Sequence, residues 1–139
     1  MIRGLSLSST QAAGLERAAR ASRPLEYCAA LLGDVDGELA VVTDLVRLRN
    51  CDTRPGRFAV ADAELRHAEL VARERRRVLV ALLHSHALAP AVPSARDLAA
   101  MAGSRWPWVI LGFDPADRVE LAAFDAGTAT PIPIVAAPA

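Results

Sequence analysis

Two histidines one residue apart, His84-Ser85-His86, end an uninterrupted apolar run that begins at Val78. Residues two apart on a strand point to the same face. Both imidazoles can therefore reach one point in space, as two ligands of one metal ion must. The chain has three histidines, and this pair holds two of them. A His-x-His triplet alone also describes two surface imidazoles at a strand end. What adds to it is Pro93-Ser94-Ala95-Arg96-Asp97, which returns a carboxylate after a loop. Two His and one Asp make three protein ligands and leave a fourth tetrahedral position open, the layout of a catalytic zinc site. Ser94-x-x-Asp97 is at the same time a capping-box pattern with Asp in place of Glu. The two roles are compatible, because a residue in the first helical turn can face a metal. Glu26, just ahead of a predicted strand, is by itself an ordinary solvated charge. Beside a metal site it becomes a candidate base that takes a proton from an attacking water.

These side chains need a scaffold. Leu5 to Leu7 reads as a first strand. Ser8, Ser9 or Thr10 can cap a helix through Leu15, Ala18 and Ala19 that stops at Pro24. Tyr27 to Leu32 is a short apolar run, Gly33 to Gly37 has turn chemistry, and Leu39 to Leu48 reads as the second arm of a hairpin. A short strand is expected at Phe58 to Val60. Asp62 is the expected cap of a helix over Leu65, Ala68, Leu70 and Val71 that ends in Arg75-Arg76-Arg77. Val78 to Leu83 has the pattern of a central strand buried on both faces. Ser94 to Met101 is a short helix. Trp108 to Phe113 and Arg118 to Phe124 are strands joined by a turn at Asp114 to Asp117. The C-terminal stretch 130–139, rich in Pro and Ala, is either frayed or an edge strand. Mixed strands with three helices predict an α/β or α+β fold, a mixed sheet flanked by helices in one domain over residues 1–139.

Composition narrows the class. With 139 residues the chain fits a single domain able to bury a core. It is 53% hydrophobic but only 4% aromatic, so Ala, Val and Leu must build that core. Sixteen basic residues balance sixteen acidic ones, which removes the electrostatic footprint expected for nucleic acid or for an anionic membrane surface. Cys28 and Cys51 do not make a disulfide framework. Residues 1–10 lack a signal-peptide pattern, and no stretch approaches the roughly 18 apolar residues of a spanning helix. A cytoplasmic setting is the expectation.

Taken together, Glu26, then His84-Ser85-His86, seven residues (Ala87 to Pro93), Ser94, two residues and Asp97 resemble the signature of the JAMM (MPN+) metalloproteases. The segment from Pro24 to Gly33 is similar to that family's P-x-E-x-C-G-x-L-x-G, and Asn50, Phe58 and Asp62 to its middle region. The resemblance spans roughly Leu5 to Phe124. It implies a cytidine-deaminase-like MPN/JAB fold and one zinc ion held by His84, His86 and Asp97. It also implies that Glu26 is the general base that passes the proton to the leaving amine, and that Ser94 helps stabilise the oxyanion. The chain departs from the pattern at Ala29, where Gly is frequent, and at Ala87, where Pro is frequent. The first bears on the groove beside Glu26.

By resemblance to compact prokaryotic members, the substrate is a small ubiquitin-fold or sulfur-carrier protein cut after its terminal Gly-Gly, for example in a carrier–cysteine adduct. A Gly-Gly tail suits strand addition along a groove. A homodimer is allowed; nucleic acid and membrane are not expected partners. Two rivals stand beside this reading: a silent scaffold of the same fold, and a zinc hydrolase of small peptides. Elsewhere, His67 is expected at the surface, Cys28 as a packing thiol and Trp106 and Trp108 as core cover. Arg75 to Arg77 would complement a helix dipole or, as a weaker alternative, dock an acidic carrier.

Overall fold

In the computed structural model, which describes residues 1–137, a mixed eight-stranded sheet is flanked by helices on both faces. Strands β2 (Cys28–Asp36) and β3 (Leu39–Leu48) form an antiparallel hairpin. Strand β4 (Val78–Ser85) pairs antiparallel with β2 and parallel with β5 (Trp108–Phe113), and β6 (Val119–Phe124) runs antiparallel to β5. Strand β1 (Gly4–Leu7) lies parallel to β3. Two short C-terminal strands, β7 (Pro131–Ile132) and β8 (Ile134–Ala136), complete the order β7-β6-β5-β4-β2-β3-β1-β8.

The first five residues of β2, Cys28 to Leu32, alternate between two cores. Ala29 and Leu31 face helix α1 (Ser9–Ser22), where Leu15 and Ala19 meet Leu5, Leu83, Leu111 and Phe113. Cys28, Ala30 and Leu32 face the other way, against Ala68 and Ala72 of α2 (Asp62–Glu74) and Met101 of α3 (Ala95–Ala102). Burial on both faces makes β2 and β4 central strands. From Leu79 to Ser85 every residue of β4 is buried; only Val78, at the strand's start, is exposed.

Several boundaries differ from the sequence expectation. The turn expected over Gly33 to Gly37 contracts to Gly37-Glu38, and β2 continues through Asp36. Gly33 sits inside the strand because β3 passes too close for a side chain: a Cβ there would lie 1.9 Å from the Val41 carbonyl oxygen. Helix α1 is capped by Ser8, whose Oγ accepts from the Gln11 N–H while Gln11 reaches back to the Ser8 N–H. Asp62 does not cap α2. Ala61 holds the N-cap position without a side-chain bond, and Asp62 with Glu64 supplies first-turn negative charge instead. The helix ends at Glu74, ahead of the three arginines, and β6 starts at Val119.

The C-terminal stretch supplies both edges of the sheet, β7 against β6 and β8 against β1. Only Pro133 separates them, and its carbonyl accepts from the Leu5 N–H. Six residues reach at most about 20 Å, so the sheet must curl until its two edges come within that span. Positions 138 and 139 of the expected tail lie outside the described residues.

Candidate metal centre

His84, on the last turn of pleat in β4, pairs with Cys28 on one side and Ile110 on the other. Its side chain is fully buried. The Phe58 ring stacks on the imidazole (centroids 4.4 Å apart, planes 19° apart), and Trp108 meets it edge-on at 5.4 Å. Phe58 was expected in a short strand; instead it lies in a loop organised by one side chain. Asn50 Oδ1 accepts from the Asp52 and Ala59 N–H groups, and its Nδ2 donates to the carbonyls of Arg57 and Glu26. One backbone bond, from the Cys51 N–H to the Ala59 carbonyl at 2.8 Å, closes the loop beside these contacts. The loop delivers an aromatic ring to His84.

His86 is held by three neighbours. Its N–H donates to the Leu111 carbonyl at 2.8 Å, and its Nδ1 lies 2.7 Å from the Pro90 carbonyl oxygen. A carbonyl can only accept, so Nδ1 carries a proton and Nε2 is the nitrogen that faces Asp97, 2.9 Å from Oδ2. A carbonyl that fixes the far nitrogen of a ligating imidazole is the usual outer support of a metal ligand. Pro90 is itself fixed, because its loop lies flat on β5. The Phe113 N–H donates to the Ala89 carbonyl, and a Cβ at Gly112 would come within 2.3 Å of the Ala91 nitrogen.

Asp97 comes from the first turn of α3. Ser94 is the N-cap: its Oγ accepts from the Asp97 N–H at 3.1 Å, and Asp97 Oδ2 accepts from the Ser94 N–H at 2.9 Å. The cap therefore aims the carboxylate at the histidines. Ser94 is solvent-exposed, and its hydroxyl, already an acceptor at the cap, still has its proton to donate.

One ligand atom from each of His84, His86 and Asp97 lies within 4.8 Å of the others, and all three residues are buried. His84 Nε2 is 3.0 Å from Asp97 Oδ1. The alignment is nevertheless wrong for a hydrogen bond, and both ring nitrogens lack a partner among the described residues. A buried nitrogen left unpaired at the meeting point of an imidazole and a carboxylate is what a metal would satisfy. The N, N, O donor set suits zinc and other borderline divalent ions. Electrostatics agree. Burial pushes the Asp97 carboxyl up, but the imidazoles of His84 and His86 and the Ser94 N–H outweigh it and hold it well below the usual carboxylate range. Burial also lowers His84, against the pull of Asp97. His86 is raised: Asp97 and the Pro90 carbonyl overcome its burial.

Glu26 is 5% exposed and lies in the field of this cluster. Burial first, and the Asp97 charge second, push its carboxyl up to about 7, against a lowering by His86. The backbone of the next residue, Tyr27, is anchored to β4 by Ser85. The Ser85 Oγ accepts from the Tyr27 N–H at 2.7 Å, and the Ser85 N–H donates to the Tyr27 carbonyl at 2.9 Å. Sequence reasoning gave Ser85 and Gly112 no role and misplaced Phe58. A buried Ser between two ligands must find a partner on the opposite face, and a Gly inside an apolar strand marks a close backbone approach. His67 is exposed, Cys28 is buried against the α2 core, and Cys51 is exposed and free.

A family model described as prokaryotic homologs of the JAB domain matches residues 10–125. Among solved structures, a protein of Desulfitobacterium hafniense is similar over 96% of this chain and 92% of its own, at 25% identity and a TM-score of 0.85. A Salinibacter ruber protein is similar over 86% and 79%, at 27% identity and a TM-score of 0.63. A JAB1/MPN domain protein of Archaeoglobus fulgidus shares the fold over 97% and 99% at 17% identity, with a TM-score of 0.60. No curated protein matches the sequence significantly. With a sheet, a helical arrangement and a family match that together span most of its length, this chain belongs to the prokaryotic JAB-domain family.

Proposed function

We propose that the chain is a zinc-dependent isopeptidase or peptidase that hydrolyses the amide bond after the C-terminal Gly-Gly of a small ubiquitin-fold or sulfur-carrier protein. The observation that carries this reading is the meeting of His84, His86 and Asp97 within 4.8 Å beside a buried carboxyl. Zinc at these ligands would supply Lewis-acid polarisation of the scissile carbonyl and make water a better nucleophile near neutral pH.

The chain's own residues supply the rest. Glu26, whose carboxyl is raised chiefly by burial above the usual carboxylate range, is suited both to take a proton and to return it. It accepts a proton from the attacking water and hands it to the leaving amine. The free proton of the Ser94 hydroxyl donates to the developing oxyanion. Phe58 and Trp108 exclude water from the His84 side. A buried thiol at Cys28 and a free exposed one at Cys51 suit a reducing compartment, and we place the protein in the cytoplasm.

The test is to incubate zinc-loaded protein with a ubiquitin-fold carrier whose terminal Gly-Gly is extended through an amide, and to follow the carrier by mass spectrometry. The reading expects accumulation of carrier ending in Gly-Gly. An intact carrier adduct alongside cleavage of short peptide amides would replace it with a small-peptide hydrolase. No cleavage of either by fully metallated protein would favour the scaffold.

A further inference from the structure

A cavity of about 580 Å³ opens beside Glu26, and Arg47, Arg49, Asn50 and Glu64 share its walls. Arg47 and Arg49 flank Leu48, which points inward and is 3% exposed, so both arginines alternate outward onto one side of the strand end. Among the described residues neither guanidinium makes an ion pair. Glu64 is the opposing charge on the wall, and its Oε1 is engaged by the Arg49 N–H at 2.7 Å. The Arg47 guanidinium lies 6.0 Å from the centroid of the Tyr27 ring, at the edge of cation–π range. The Tyr27 backbone is the one that Ser85 locks beside Glu26.

The cavity's position gives it a direction. A base that returns its proton to the leaving nitrogen must have that nitrogen beside it, while the acyl side is held at the metal ligands. Glu26 lines this cavity and His84, His86 and Asp97 do not, so the cavity is the space open to whatever is attached to the leaving nitrogen. Planar guanidinium forks match carboxylates in a bidentate way that other cations do not. We infer that this cavity is the leaving-group subsite, and that Arg47 and Arg49 select a leaving segment that bears a carboxylate. The inference rests on the hydrolase reading with Glu26 as its acid–base. The carboxylate can be the free C-terminus of a short leaving segment or an acidic side chain within it.

Three substrates test it, with one Gly-Gly acyl part and different leaving segments: Ala-Ala as the free acid, Ala-Ala amide, and Ala-Asp amide. The expected result is a KM about tenfold or more lower for the free acid than for Ala-Ala amide, with that gap abolished in R47A/R49A and partly restored in R47K/R49K. A low KM for Ala-Asp amide as well would assign recognition to any carboxylate; a high one would assign it to the chain terminus. Equal KM values for free acid and Ala-Ala amide, with turnover intact, would overturn the subsite and leave the hydrolase reading standing. Calorimetric titration of zinc-loaded protein with the dipeptides Ala-Ala and Ala-Ala amide needs no turnover. A preference for the acid that R47A/R49A removes would support the anion site even in a protein that fails to hydrolyse. No preference would remove it.

Discussion

Glu26 and Ser85 divide the work of placing one carboxyl. Burial makes Glu26 a weaker acid, which is a cost in the folded protein but suits a group that must gain and lose a proton. E26Q keeps the shape and removes the titration. It should retain bound metal while kcat falls by about 10²–10⁴, as measured by metal analysis and steady-state kinetics on the same preparation. Ser85 acts at one remove. S85A deletes the acceptor of the buried Tyr27 N–H, and an unpaired buried donor costs about 1–3 kcal/mol. The expected outcome is a lower denaturation midpoint and a reduced kcat with metal stoichiometry unchanged. At this scale the sequence was informative where spacing decides direction. Two residues along a strand place His84 and His86 on one face, and three along a helix start let Ser94 and Asp97 bond reciprocally. It was silent where the partner is distant. Nothing local says that Ser85 would meet Tyr27, or that Phe58 would leave a strand-like sequence to stack on an imidazole.

The elements that hold the site are fixed by close backbone contacts. The loop after His86 lies on β5 at Gly112, where only a missing side chain lets the Ala89–Ala91 backbone approach. G112A would force that backbone outward and pull the Pro90 carbonyl away from His86. Overpacking of this kind costs about 1–3 kcal/mol. The variant should unfold at a lower temperature and, unlike S85A, should also bind zinc more weakly in a competition titration. The long apolar runs were readable as strands because burial on both faces leaves a continuous pattern, as in β4 and β5. Lengths were less readable. The Gly33–Gly37 stretch has turn residues, yet β2 runs through most of it because pairing with β3 overrides local preference. The exchange of edge strands at Pro133 depends on sheet curl, which no short window of sequence encodes.

Across the whole molecule, α1 is tied to the turn between β5 and β6 by Asp117. Arg20 and Arg23 bond its carboxylate at 2.8 and 2.6 Å, and both guanidiniums lie over the Phe113 ring. The two arginines hold the Asp117 carboxyl at about 2. A carboxyl lowered by folding contributes stability that is present above its unfolded value and lost as pH falls through its folded one. The contribution of this clamp should therefore fade between about pH 4 and pH 2. D117N, which tolerates the left-handed backbone at that position (φ 62°), should flatten the dependence of melting temperature on pH across that window. The clamp is solvent-exposed, so the effect should also shrink in high salt.

Everything proposed for the chemistry depends on His84, His86 and Asp97 acting as a single metal site, so bound zinc per chain is the most direct measurement. Untagged protein equilibrated with buffered zinc and then desalted should carry about one zinc per chain. H84A and D97A should carry none, and E26Q should match wild type. Wild-type protein that takes up no zinc under these conditions, or H84A that keeps a full equivalent, would contradict the account.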